Sequence, residues 1–171
     1  MDPSLSALKQ LTLEARVYMN SFQTSDPYIS SIMGIEAVCC VRFGDVKIDN
    51  NVLQICHDSY QPAATDKPSE TIDLTSDNSG GFYLGASYGG GRPLDGYIAE
   101  ARVWYRALIQ SEIANNMNYV DPASEGLLAY WRMNEWEPRT GGGNIVKDLT
   151  GHGYDAQGVS SNPVMMDTKW L

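Results

Sequence analysis

The feature that most limits what this chain can fold into is two-residue alternation in strands spaced far apart. In LTLEARVYM (11–19), Leu11, Leu13, Ala15, Val17 and Met19 fall on one side, and Thr12, Glu14, Arg16 and Tyr18 fall on the other. LLAYWRM (127–133) repeats the pattern, with Leu127, Ala129, Trp131 and Met133 together. Between them GYIAEARVWY (96–105) reads as a third long strand. A period of two belongs to a strand with one face on a core, whereas a helix would scatter the same residues around its circumference.

The remaining runs are shorter. IMGIEAVCCVRFG (32–44) is continuous, apolar and closed by Gly44; VKI (46–48) and VLQIC (52–56) follow, with Asn50 and Asn51 expected to make a tight hairpin between them. Residues 57–81 turn polar, with Pro62, Pro68 and SDNSGG, and leave only TIDL (71–74) as a candidate strand. FYLGAS (82–87) and the glycine-rich YGGGRP come next, and two last strands should flank DLTGHG (148–153). One helix is expected, IQSEIANNMN (109–118), with Ile109, Ile113 and Met117 (or Ala114) on one face and Asp121–Pro122 as its stop. No repeat, low-complexity tract or linker divides the 171 residues, so they read as a single domain, 126–171 supplying its last strands.

Composition matters through charge. With 21 acidic against 12 basic residues the formal net charge is -9, which repels phosphate backbones and anionic membrane surfaces, so nucleic acid is excluded as the expected partner. No apolar run approaches the roughly 20 residues that span a bilayer. The start, MDPSLSALKQ, has neither a basic n-region nor an apolar h-region. We expect a module of a longer exported protein rather than a cytoplasmic one. Cys39, Cys40 and Cys56 are too few for a disulfide framework; Cys39 and Cys40 point to opposite faces of a strand, and buried thiols are expected.

LDGYIAEARVWYRALIQSEI (94–113) resembles the signature of laminin-G-like jellyroll modules, in which a glycine-led strand ends in Arg-Ala-Leu and runs into a short helix containing Glu-Ile. Gly96, Arg106, Ala107, Leu108, Glu112 and Ile113 carry that likeness. GLLAYWRMNE (126–135) followed by VKDLTGHGYDA (146–156), and LTLEARV (11–17), are similar to further segments of the family. The resemblance covers about half of the chain. It implies an all-β, concanavalin A-like jellyroll sandwich of two antiparallel sheets with one short helix, of the kind found in surface and secreted bacterial proteins. Two departures stand out. Residues 57–70 hold nothing like the family's Trp-His strand and Tyr-x-x-Gly hairpin, which puts a deep glycan cleft in doubt. Ile109 also replaces the usual Ser or Thr helix cap, at a cost of about 1 kcal/mol.

For chemistry, the nearest acid pair is Glu135 with Glu137 around Trp136, but a third acidic residue is missing and Pro138 interrupts the strand. Glu14 with Arg16 and Glu100 with Arg102 read as cross-strand ion pairs on an exposed sheet face. His57 and His152 adjoin no nucleophile elbow. Asp148 and Asp155 in DLTGHGYD offer hard oxygens for a structural calcium ion; the competing reading makes Asp148 the head of an Asx turn before Gly151. Trp136 and Arg139 in WEPRTGGGN, and Tyr88 and Arg92 in YGGGRP, pair an aromatic face with a guanidinium in a glycine-rich loop, as a sugar-binding surface requires. Trp104 and Trp131, in mid-strand, are expected in the core. The expected function is therefore a non-catalytic carbohydrate-binding or adhesion module of a larger extracellular or bacterial cell-surface protein, with a glycan and neighbouring domains as partners. The alternatives are a structural spacer without a glycan ligand and a glycoside hydrolase of the same fold.

Overall fold

The computed structural model describes residues 4–45, 48–57, 71–77, 80–87 and 90–158. Among these, the strands in chain order are β1 (Thr12–Ser21), β2 (Ser30–Ile35), β3 (Cys39–Asp45), β4 (Ile48–His57), β5 (Tyr83–Leu84), β6 (Asp95–Trp104), β7 (Leu127–Arg132), β8 (Glu137–Pro138), β9 (Asn144–Val146) and β10 (Ala156–Gly158), with helix α1 (Gln110–Asn115) between β6 and β7. One antiparallel sheet has the order β1-β6-β7 and a second β4-β3-β2-β5; a small ribbon, β10-β9-β8, continues from the end of β7.

Alternation decides what each sheet buries. Ala101 and Val103 of β6 and Ala129 and Trp131 of β7 meet Ile32 and Met33 of β2, with Leu13 and Val17 of β1 and Val41 and Phe43 of β3 around them. This is the core of a two-sheet sandwich, in which facing side chains of both sheets interdigitate. Gly96 sits where β1 and β6 come closest: it pairs with Met19, and a Cβ there would collide with the Tyr18 carbonyl. The glycine that leads this strand is thus a packing requirement of the β1–β6 pair.

Four expectations need correction. Residues 32–44 are not one strand but two, β2 and β3, joined by a tight turn in which Ala37 takes φ 62°. Asn50 and Asn51 make no hairpin; both lie inside β4, which pairs continuously with β3 from His57 to Leu53. TIDL contributes only an isolated bridge, Leu8 with Ile72. Helix α1 buries none of its residues, and Ile109, Ile113 and Met117 are exposed rather than packed. It is anchored by Glu112, which accepts a hydrogen bond from the Ile109 amide (2.9 Å) and pairs with Arg106 (2.8 Å). The carboxylate half of a capping box therefore stands without the hydroxyl half. The segment expected to be missing a hairpin, 57–70, lies almost entirely outside the described residues.

The outer face of the β1-β6-β7 sheet differs most from expectation. Register aligns Glu14, Arg102 and Tyr130 in one row and Arg16, Glu100 and Arg132 in the next. The ion pairs form, yet Glu100 and Arg102 are only 3% and 5% exposed. The Arg102 guanidinium donates to Glu100 Oε2 (2.6 Å) and lies 3.4 Å from Glu14. Tyr130 donates its hydroxyl to Glu100 (2.8 Å), Trp104 donates its indole N–H to Glu14 (2.6 Å), and Arg102 stacks over the Tyr130 ring. Trp104 and Tyr130 form a second apolar cluster with Val120 and Leu127, which closes this end of the face. Burial pushes the Glu100 carboxyl up, but the Arg102 hydrogen bond, the Tyr130 hydroxyl and the charges of Arg102 and Arg16 outweigh it and hold it below the usual glutamate range.

That depression links stability to pH. A carboxyl whose folded value lies below its unfolded one, about 4.3, contributes stability in full above that value and loses it as pH falls through the folded value. Glu100→Gln should therefore cost about 3 kcal/mol near neutrality, since it strands Arg102. The gap from wild type should narrow as urea unfolding is repeated at progressively lower pH, below the ordinary glutamate range. A gap independent of pH would mean that the charge on Glu100 is not what holds this face.

Candidate functional site

Past Arg132 the chain turns through Met133 and Asn134 and enters the β8–β9 hairpin. Its tip closes through Arg139 N–H to the Gly143 carbonyl (3.0 Å) and Gly142 N–H to the Arg139 carbonyl (3.1 Å). Gly141, Gly142 and Gly143 all have positive φ, so the run of three glycines in the sequence is what this tip demands. Between hairpin and sheet lies a groove of about 290 Å³ lined by Arg132, Asn134, Glu135, Trp136, Glu137, Lys147 and Leu149. Such a volume falls just below the range typical of ligand pockets, roughly 300–1,000 Å³. Trp136 is 38% exposed and Leu149 is exposed beside it, giving the groove an apolar wall among polar groups.

Its charges are distributed unevenly. Lys147 is tied to Asp155 (2.8 Å) and approaches Glu137 (3.7 Å), and these carboxylates, Asp155 foremost, hold its ammonium above the usual lysine range. The same contact, with the Asp148 amide, holds Asp155 below the usual range. Glu135 and Glu137 both line the groove and both are exposed to solvent. Hydrolytic carboxyl pairs instead face each other across an enclosed sugar, one of them in apolar surroundings.

The turn that follows β9 depends on Asp148, which is buried. Its Oδ1 accepts the Tyr130 amide (3.1 Å) and the Thr150 amide (3.0 Å), its Oδ2 accepts the Tyr154 amide (3.2 Å), and the Thr150 hydroxyl lies 2.8 Å from both oxygens. Leu149 N–H continues the contact to the Tyr130 carbonyl, His152 Nδ1 lies 2.9 Å from the Leu128 carbonyl, and Trp131 donates its indole N–H to the Tyr154 carbonyl (2.7 Å). Asp148 therefore acts as a side-chain strand partner for β7 and heads an Asx turn, the second of the two readings of DLTGHG. Asp155 accepts the Asp148 amide (3.0 Å) on one oxygen and Lys147 on the other. Among the described residues no three His, Cys, Asp or Glu side chains group as a metal set.

Of the side chains expected to bind ligand, Trp136 lines the groove. Arg139 is exposed at the hairpin tip and is not among the lining residues. Arg92, 11% exposed, turns inward: its guanidinium pairs with the buried Glu36 (2.5 Å), which also pairs with the buried Arg42. It is part of an internal ion cluster, not a guanidinium facing solvent. Tyr88 lies outside the described residues. The contribution of Arg132, Asn134, Lys147 and Leu149 was not expected. For Arg132 the signal was available, because the alternation that sends Trp131 inward sends Arg132 outward, immediately before the Trp136 loop.

Comparison with known proteins agrees with the architecture. Residues 46–114 match a laminin-G family model of the concanavalin A-like lectin/glucanase superfamily. No curated protein matches the sequence. The crystal structure of a candidate carbohydrate-binding protein from Bacteroides ovatus superposes with a TM-score of 0.74 at 25% identity, over 91% of this chain and 53% of that one, so this chain spans about half its length.

Both carboxylates of the DLTGHGYD turn being occupied by protein donors, thermal unfolding should have the same midpoint in calcium and in a chelator. Asp148→Ala should lower that midpoint through the loss of three amide partners, by about 2–4 kcal/mol of stability. A midpoint that rises with calcium and no longer does so in Asp155→Asn would make these residues ligands instead. In fold, with residues 46–114 carrying its laminin-G-type sequence, the chain is a concanavalin A-like sandwich.

Proposed function

We propose that this chain is a non-catalytic carbohydrate-binding module of a larger surface or secreted protein and that the groove beside Trp136 is its ligand site. The observation that carries this reading is the combination of a part-exposed indole face with donors and acceptors in one small groove: Arg132, Lys147 and Asn134 donate, and Glu135, Glu137 and Asn134 accept. A sugar ring presents an apolar C–H face and a rim of hydroxyls that both donate and accept, so it matches such a surface on both counts. The likeness in fold to a candidate carbohydrate-binding protein supports the same reading. Exposure of Glu135 and Glu137 argues for hydroxyl recognition by these carboxylates rather than for hydrolysis.

A second reading, a spacer that packs against neighbouring domains, draws on one specific feature. Ile109, Ile113, Met117 and Tyr119 are all exposed along and just beyond α1, Ile109 to 64%. An apolar patch of that kind marks a contact surface.

A glycan array of the domain, followed by titration of its best ligand, tests the leading reading. Trp136→Ala should weaken binding at least tenfold, equivalent to about 1.4 kcal/mol, without changing the thermal midpoint by more than a few degrees. An array without a hit, or a hit indifferent to Trp136→Ala, would overturn the assignment of the groove.

A further inference from the structure

Resting on the carbohydrate-binding reading, the geometry points to Arg132 as the anchoring donor of the site and to an uncharged sugar as the class of ligand it holds. Arg132 ends β7 on the outer face, in register with Glu100. Glu100 does not satisfy it: Oε2 already accepts Arg102 and Tyr130, and Oε1 faces Arg16 at 3.9 Å. Among the described residues no ion pair or hydrogen bond is formed by the Arg132 side chain, and its Nε is buried without a partner. Nε is closed off from the groove, so the donors a ligand can reach are the terminal Nη groups, which likewise have no acceptor on the chain among the described residues and favour a ligand that brings one. Because Arg132 lines the groove together with Trp136, an acceptor reaching it is carried by a molecule stacked on the indole.

Charge selects the kind of acceptor. The lining carries two cations, Arg132 and Lys147, and two carboxylates, Glu135 and Glu137, and Lys147 is paired with Asp155 as well as approaching Glu137. Counted over the lining these charges cancel, so an acidic sugar would find no net positive charge in the groove to attract it, on a chain with a formal net charge of -9. A hydroxyl has no such conflict. It can accept from Arg132 while donating to Glu135 or Glu137, and each bond strengthens the other. The planar guanidinium fork can also span two neighbouring hydroxyls, which an ammonium cannot.

Three variants and two classes of probe separate the outcomes. Wild type, Arg132→Lys, Arg132→Met and Trp136→Ala are titrated with neutral gluco-, galacto-, manno- and xylo-oligosaccharides, and with oligogalacturonate and sialyllactose as acidic probes. We expect a neutral probe to bind wild type with an affinity insensitive to added salt, at least tenfold weaker binding in Arg132→Met, an intermediate loss in Arg132→Lys, and acidic probes at least tenfold weaker than neutral ones. A merely structural role for Arg132 would lower the thermal midpoint of Arg132→Met and leave affinity well below that midpoint unchanged, which overturns the anchoring role. Should Arg132→Met not fold, Arg132→Lys with wild-type affinity overturns it equally. Acidic probes bound more tightly than neutral ones, with sensitivity to Trp136→Ala, overturn the neutral class while leaving the carbohydrate-binding reading in place. Failure of every probe on wild type removes that reading and this inference with it.

Discussion

The chain Trp104–Glu14–Arg102–Glu100–Tyr130 is the interaction on which the rest of this structure depends. It joins three strands that lie far apart in sequence, β1, β6 and β7, through side chains on the face away from the sandwich core. A slip of one residue in any of the three would turn its charged side chains into the apolar core and its core side chains outward, so the ion chain and the core specify the same register from opposite faces. Charges buried this deeply add little net stability compared with apolar residues of similar shape, because desolvation offsets much of their attraction. Their contribution here is to penalise wrong pairings. Only one register lets Arg102 lie over the Tyr130 ring while reaching both carboxylates.

The groove inherits its rigidity from that registered sheet. Arg132 is the last residue of β7, so its position follows from the pairing of Ala101 with Trp131 and of Glu100 with Arg132. The Asp148 turn fastens residues 148–154 to the backbone of β7, which places Leu149 on the groove beside Lys147 at the end of the hairpin. Trp131 connects the two systems: its ring lies in the core and its indole N–H holds the Tyr154 carbonyl. The ribbon β8–β9–β10 then needs only short pairings, because both its ends are fixed to a rigid element.

Much of this frame was legible in the sequence, for a physical reason. β1, β6 and β7 each have one apolar face, and period-two alternation reports such a face directly. The laminin-G-like segments coincided with these strands because Gly96 and the Asp148 turn answer constraints imposed by the pairing itself. What was not legible depended on which neighbour covers a side chain. The break between β2 and β3 leaves no clear period to read, since β2 is buried throughout, β3 is buried or half-buried over its described length with no exposed face, and the turn uses Ala37 where a glycine or asparagine would have announced it. Glu100 and Arg102 looked like surface charges because alternation distinguishes two faces but not whether the second face is wet. The same limit misplaced Ile109, Ile113 and Met117, which lie along and at the ends of the short helix but find no covering surface among the described residues. Trp136, singled out in the sequence through its glycine-rich loop, does line the groove. Arg132 was passed over because a lone arginine on a strand reads as solvated until the pairing of Glu100 elsewhere is known.

Two surfaces remain without a partner among the described residues, and their placement makes the two functional readings compatible. The segment carrying α1 packs through Leu108 and Val120 on the Trp104 and Leu127 end of the sheet. The groove lies past Arg132, at the other end of β7. Six residues of strand separate these ends, about 17–20 Å, enough that a protein surface seated on Ile109, Ile113, Met117 and Tyr119 would leave Trp136 open. A sandwich held at one end of a strand and reading a ligand at the other suits a module in a multidomain chain. The rigid ion-paired face between the two ends would carry the mechanical connection. On the two proposed readings, binding of a sugar and contact with a neighbouring domain would make separate demands on the sequence, and each could change without disturbing the register that both require.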